Sequence, residues 1–228
     1  MSLQNVINYS NGLKINRRKV VGIQYTRNEI PRTTLIPTLN PWRFTIDLPT
    51  SLRYSEARNM IEDLDSLDRI YSEVITFNNN PNMNWIFRYQ GSMTTVQVNA
   101  ITVDSFIGNE LTLTNLPIVN ANRVLFEKND LIQIGDTPYT YTSTQQVLRG
   151  SDPTVTLTTH RPCINPVSAF LSTIKVGSGC QFKMFCPNMP TYKLYPGGTI
   201  YQNNQMINNA YIEWSGEFEL RESVGTIL

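Results

Sequence analysis

The chain has 228 residues, a formal net charge of +1, and 16% charged against 40% apolar residues. That length suits one large domain or two small ones, and the composition excludes the disordered class. Nineteen Lys and Arg spread along the chain leave no electrostatic footprint for nucleic acid.

The polar surface must therefore come from uncharged groups. Asn supplies much of it with 24 residues, including the runs Asn78-Asn79-Asn80 and Asn203-Asn204, which favour turns over helix interiors. The one basic cluster, Lys14, Arg17, Arg18 and Lys19, reads as a solvated strand edge. Residues 1–5 carry neither the charged nor the apolar region of a secretory signal, so export by that route is not expected. No stretch approaches the roughly 18 apolar residues needed to cross a bilayer, so no membrane association is expected. Three Cys without an export signal predict reduced thiols that pack as small apolar groups.

In chain order, Val21, Ile23 and Tyr25 share a face of a first strand, and Trp42, Phe44, Ile46 and Leu48 alternate with Arg43, Thr45 and Asp47 in a second. Between them Asn28 to Pro41 holds Pro31, Pro37 and Pro41, which predict a long excursion rather than a tight hairpin. The one convincing helix follows, with Ala57, Met60, Ile61, Leu64 and Leu67 at three-to-four-residue spacing. Its Glu56, Glu62, Asp63, Asp65 and Asp68 face water.

Strands are predicted at Glu73 to Phe77 and at Trp85 to Tyr89, joined as a hairpin. From Gly91 to about Asn165 the texture becomes dense in Val, Thr, Ile and Leu, with strands at Thr95 to Asn99, Val103 to Ile107, Glu110 to Thr114, Leu131 to Ile134, Tyr139 to Gln146 and Val155 to Thr159. Such short strands punctuated by turns suggest a small closed, OB-like barrel. The last 60 residues alternate again, at Cys180 to Cys186, Thr191 to Leu194 and Tyr211 to Leu220, with Gln202 to Asn209 read as a loop. A long final strand needs partners, so the C-terminus is expected to close the sheet begun before the barrel.

The expected fold is mainly β (α+β): a split β-sandwich or barrel-like sheet domain with one packed helix, from residues 1–91 and 166–228, interrupted by the barrel at 92–165.

Few residues offer chemistry. The single histidine, His160, cannot build a two-histidine metal site. His160 and Cys163 with Cys180 and Cys186 could in principle hold zinc, but Cys180 and Cys186 lie six apart, wider than zinc-knuckle spacing. A Cys163–His160 nucleophile pair lacks any sign of an oxyanion hole. Pairs such as Asp63 and Asp65, or Glu217 and Glu219, arise on any soluble surface. No phosphate loop or dinucleotide fingerprint occurs. No catalytic, metal or cofactor site is expected, and the chain is read as a non-enzyme. Tyr139 and Tyr141 could form a stacking platform, with Trp214 a further candidate, although filling a barrel interior or a protein contact is the stronger reading for the tyrosines.

The order of strands, helix, hairpin, barrel and returning strands resembles the distal tail proteins and related tail-hub proteins of tailed bacteriophages. The helix segment Ser55-Glu56-Ala57-Arg58 with Leu64 and Leu67 looks like the family's helix after its first sheet. Lys128-Asn129-Asp130-Leu131-Ile132-Gln133-Ile134 followed by Tyr139-Thr140-Tyr141 looks like its barrel, and Phe218-Glu219-Leu220-Arg221-Glu222-Ser223 resembles its closing strand. A Gly-Asp pair usually precedes the apolar barrel strand; here Asn129 stands in place of Gly, and Asn also tolerates positive φ.

The resemblance spans most of residues 20 to 223. It implies a virion protein, assembled in the host cytoplasm, forming a homo-oligomeric ring, commonly of six copies, at the tip of the tail tube. Its partners would be the tube protein and the hub or baseplate, with DNA only in transit through the channel. The Asn28 to Pro41 arm and the C-terminal strand are the expected contacts between copies. The competing reading is a carbohydrate- or receptor-binding module using Tyr139, Tyr141 and Trp214; a cell-wall hydrolase has the least support.

Overall fold

The computed structural model describes residues 2–17, 21–25, 31–35, 40–49, 52–66, 71–117, 122–164 and 172–224. The fold is mainly β, with three α-helices among the described residues. It divides into two compact units. The first holds Met1–Ile15, Arg43–Phe87 and Gln181–Ser223; the second holds Asn16–Trp42, Arg88–Cys180 and Val224–Leu228. The second unit thus reaches past 92–165 at both ends and also takes in a segment from before the helix.

The chain opens with helix α1 (Ser2–Tyr9) and strand β1 (Gly12–Asn16). The sequence reading places no helix there, yet Leu3, Val6 and Ile7 follow helical spacing and are fully buried. Strands β2 (Val21–Tyr25) and β3 (Pro31–Leu35) pair antiparallel with Tyr25 opposite Pro31. The proline-bearing stretch therefore contains a hairpin rather than a long strandless excursion. Pro31 takes the first strand position, where a missing N–H is tolerated; Pro37 lies outside the described residues.

Strand β4 (Arg43–Asp47) alternates as expected, burying Phe44 and Ile46. Helix α2 (Tyr54–Ser66) buries Ala57, Met60, Ile61 and Leu64 and exposes Glu56, Glu62, Asp63 and Asp65; Leu67 and Asp68 lie outside the described residues. Strand β5 (Glu73–Ile75) forms, but residues 81–87 are successive turns rather than a strand, and Trp85 is 65% exposed. Buried Asn80 holds this conformation: its amide donates to the carbonyl of Ser10 at 3.2 Å and its Oδ1 accepts from the Asn82 N–H at 2.8 Å.

Helix α3 (Thr95–Ala100) occupies a segment expected as strand. Thr94 and Gln97 form a reciprocal capping box, a local signal that outweighs the β-propensity of two valines. Strands β6 (Thr102–Ile107), β7 (Glu110–Thr114), β9 (Leu131–Ile134) and β12 (Val155–Thr158) stand where expected. Strand β10 (Thr140–Thr142) is shorter than its prediction, and β8 (Val124–Phe126), β11 (Val147–Leu148) and β13 (Ile174–Val176) are too brief to show a period. The chain ends through β14 (Phe182–Phe185), β15 (Tyr192–Gln202), β16 (Gln205–Trp214) and β17 (Phe218–Glu222). The expected final strand from Tyr211 to Leu220 is thus two strands broken at residues 215–217. The polar run Gln202 to Asn209 is the far end of a hairpin, not a loop.

In the first unit one sheet runs β1-β4-β17-β14-β5. Strand β17 pairs antiparallel with β4, Leu220 opposite Phe44, and with β14, Met184 opposite Glu222, so the C-terminal part does close the sheet begun near the N-terminus. Phe44, Phe77, Phe87 and Phe182 form its aromatic centre, with Phe44 edge-on to Phe77 at 5.2 Å and to Phe182 at 5.1 Å.

In the second unit, sheets β12-β7-β6, β10-β9-β13 and β11-β8 share one core that includes Val103, Leu111, Leu125, Ile132, Tyr141 and Ile174. The two three-stranded sheets meet at isolated bridges, Thr102 with Thr173 and Ser143 with Thr159. No continuous ladder closes them, so the expected closed barrel does not form. Strands of three and four residues run out of backbone before the seams can zip.

The turn before β9 obeys the expectation for Asn129, whose φ is 74°. All six non-glycine residues with positive φ among the described residues are Asn, as the composition foretold. The adjacent Asp130, buried, accepts from the backbone N–H of Gln90 and of Glu127, each at 2.8 Å. Asp130→Ala strands both donors, each only part-buried, and is expected to cost about 2–4 kcal/mol, from the lower part of the roughly 1–3 kcal/mol per unpaired group, measured by urea denaturation.

Candidate functional site

The most unusual surface is the hairpin of β15 and β16. Its strands pair over almost their whole length, from Tyr192 opposite Trp214 to Gln202 opposite Gln205, and among the described residues no third strand pairs with either edge beyond a single bridge from Arg53 to Tyr211. Asn203 and Asn204, at φ 50° and 60°, make the two-residue turn that right-twisted strands prefer. Near the middle a bulge separates Pro196 from Thr199. Gly198 there has φ 77°, and a Cβ on Gly197 would come within 3.1 Å of the Ala210 backbone.

The hairpin is rooted on the first unit, where Ile212 is buried and its N–H donates to the Leu52 carbonyl at 3.0 Å. Beyond that root no described side chain from Lys193 to Asn208 is buried. Tyr201 and Met206, a cross-strand pair, are each 72% exposed, and Ile200 pairs with Ile207 on the other face. From Leu194 to Ile212 the sequence contains no charged residue at all. Exposed strand edges ordinarily carry Lys or another charge that blocks pairing. Between Leu194 and Ile212 this arm has apolar side chains, edges left open among the described residues and no such charge; Lys193 and Glu213, paired at its base, flank that stretch.

The residues singled out from sequence do not gather. Tyr141 is only 2% exposed, its ring edge-on to Phe106 at 4.9 Å and beneath the Arg161 guanidinium at 5.2 Å. Its hydroxyl accepts from the Ile164 N–H at 3.0 Å, and burial pushes the phenol above its ordinary range. It fills the interior and cannot serve as a platform. Tyr139 packs half-buried against the same core. Trp214 belongs to the first unit, at the root of the arm, where it lines a cleft against α2.

Arg17 is no solvated edge residue either. Its guanidinium donates to Thr142 Oγ1 at 2.6 Å and Asn129 Oδ1 at 2.5 Å, and covers the ring of Trp42 at 5.3 Å. Lys14 is exposed and pairs with Glu217; Arg18 and Lys19 lie outside the described residues. Trp42 is buried, donates from Nε1 to the Thr140 carbonyl at 2.9 Å, and meets His160 edge-on at 5.4 Å.

His160 Nδ1 accepts from the Thr142 N–H at 3.0 Å. Burial first, then the positive charges of Arg161 and Arg17, hold its imidazole down at about 3 against an ordinary 6.5. The folded imidazole is therefore neutral at pH 7. The unfolded chain takes up a proton near pH 6.5, so the stability this burial contributes is complete above that pH and is lost as pH falls toward 3. With one histidine in the chain, the imidazole proton resonances are a clean probe. They are expected to stay fixed between pH 7.5 and 5, where a solvated histidine would titrate.

Cys163 is half-buried, and Cys180 and Cys186 are buried. Burial pushes the Cys180 thiol above its ordinary range, away from the thiolate that metal binding needs. Among the described residues no three His, Cys, Asp or Glu side chains gather as a metal-binding group.

The arm was legible only in part. Asn203-Asn204 flanked symmetrically by Ile200-Tyr201 and Met206-Ile207 is a hairpin signal that the polar composition of the run concealed. No protein-family model matches the chain, and no curated protein matches it.

Proposed function

We propose that this chain is a structural component of a phage tail tip or baseplate, assembling as a ring that joins the tail tube to the hub. The observation that carries the assembly reading is the arm of β15 and β16. A two-stranded hairpin is marginal in water by itself, and 19 exposed or root-lying residues without a charge, from Leu194 to Ile212, have the composition of an interface core rather than of free surface. The arm's open edges and its Tyr201–Met206 face suit a neighbouring copy, and a neighbour that repeats this contact by rotation closes a ring.

The tail assignment draws on the resemblance in element order. The split first unit, closed by β17 against β4, is consistent with it. The mechanism is mechanical: repeated interfaces enclose a channel through which DNA passes, and no chemical step is required.

Native mass spectrometry of the purified chain, alone and mixed with tail-tube and hub proteins, tests this. A closed oligomer, of six copies by the family expectation, that captures the tube protein is the expected result. A monomer that stays monomeric with those proteins and binds glycans would replace the scaffold reading with a receptor-binding one.

A further inference from the structure

At the root of the arm the first unit contains a cleft of about 300 Å³, at the lower end of the roughly 300–1,000 Å³ range of ligand pockets. Ile61, Leu64 and Asp65 of α2 form one side; Tyr192, Trp214 and Phe218 form the other. Trp214 meets Tyr192 edge-on at 5.4 Å and Phe218 at 4.9 Å, with the planes tilted by 62° and 68°.

Among the described residues the lining holds one carboxylate, Asp65, and no cation. Asp65 is exposed and makes no ion pair among the described residues, and it extends the acidic face of α2 formed by Glu62 and Asp63. Asp65 lines the same cleft as Tyr192 and Trp214, and the phenol of Tyr192 is raised by burial and then by the negative charge of Asp65.

A carboxylate beside aromatic faces is the recognition set for a monocation, since the ring quadrupole and the anion attract it together. A sugar stacks best on an open, flat ring face, and rings packed edge-on to one another do not combine into such a platform. Between the two basic side chains, a planar guanidinium can both pair with a carboxylate and lie on a ring; an ammonium does only the first well. We infer that this cleft receives an arginine side chain of a partner polypeptide, its guanidinium seated between Asp65 and the rings of Tyr192 and Trp214. This rests on the cleft alone, so it stands or falls separately from the tail-tip reading.

The test uses the full chain labelled with 5-fluorotryptophan, whose three fluorine resonances are assigned by single Trp→Phe variants. Titration with the peptide acetyl-Gly-Arg-Gly-amide is expected to move the Trp214 resonance and leave those of Trp42 and Trp85 in place. The same peptide with citrulline, neutral and nearly isosteric, should bind at least about fivefold more weakly. Asp65→Asn should weaken the arginine peptide by roughly three- to tenfold, the range for a partly exposed charged contact. The unchanged Trp42 and Trp85 resonances report that this variant is folded. Equal binding of the two peptides, an Asp65→Asn variant that binds arginine undiminished, no shift of Trp214 at millimolar peptide, or a shift produced by N-acetylglucosamine oligomers instead would each overturn the inference.

Discussion

Replacing Tyr201 with Lys and Met206 with Glu together is expected to yield a folded monomer that no longer assembles. The two residues are direct cross-strand partners near the tip of the arm, each 72% exposed, so the substitutions leave the chain's own core untouched. Opposite charges facing each other on one side of a hairpin contribute about 0.2–1 kcal/mol in its favour, and the arm itself should persist. Burying that ion pair against a neighbour in place of two apolar side chains costs about 1–4 kcal/mol, because desolvation outweighs the attraction within the pair. Subunit affinity should therefore fall on the order of 100-fold, about 3 kcal/mol. Sedimentation velocity reads the loss of assembly, and an unchanged thermal midpoint shows that the fold survives. If the doubly charged variant sediments as the wild-type oligomer, the arm is not the assembly surface.

Phe44→Ala is expected to be the most damaging core substitution tested by denaturation, at about 3–5 kcal/mol. Phe44 is fully buried on β4, opposite Leu220 of β17, and its ring touches Phe77, Phe87 and Phe182. Truncation removes the ring that the other three pack around and leaves a cavity at the centre of the sheet. With a urea slope of roughly 2–3 kcal/mol/M for a chain this size, the midpoint should drop by about 1–2 M. Phe44→Leu keeps most of the volume and should cost only about 1–2 kcal/mol. Equal losses for the two variants would mean that ring contacts, not filled volume, set the energy.

These two residues mark opposite ends of what the chain reveals unaided. Phe44 is legible because Trp42, Phe44, Ile46 and Leu48 alternate with polar neighbours, a period that has one structural solution. Tyr201 is not, because Gln202 to Asn209 are polar enough to pass for loop. Helix α2 could be read in the same way as β4, from Ala57, Met60, Ile61 and Leu64. Thr95 to Asn99 misleads: its valines favour a strand, while the capping pair Thr94 and Gln97 commits the segment to a helix turn. Strands of two or three residues, such as β11 and β13, carry no period to detect.

For the candidate sites the division is sharper. The sequence by itself determined the turn at Asn129, because Asn is the residue that accepts positive φ at small cost. It also determined the periodic strands and the acidic helix, because periodicity is a local property. Only the tertiary structure decided between the interior and platform readings of Tyr141, placed Trp214 in a cleft with Asp65, and showed that the hairpin around the uncharged run from Leu194 to Ile212 belongs to no larger sheet among the described residues. Burial depends on which distant segments return to cover a face, and a residue's neighbours along the chain do not encode that.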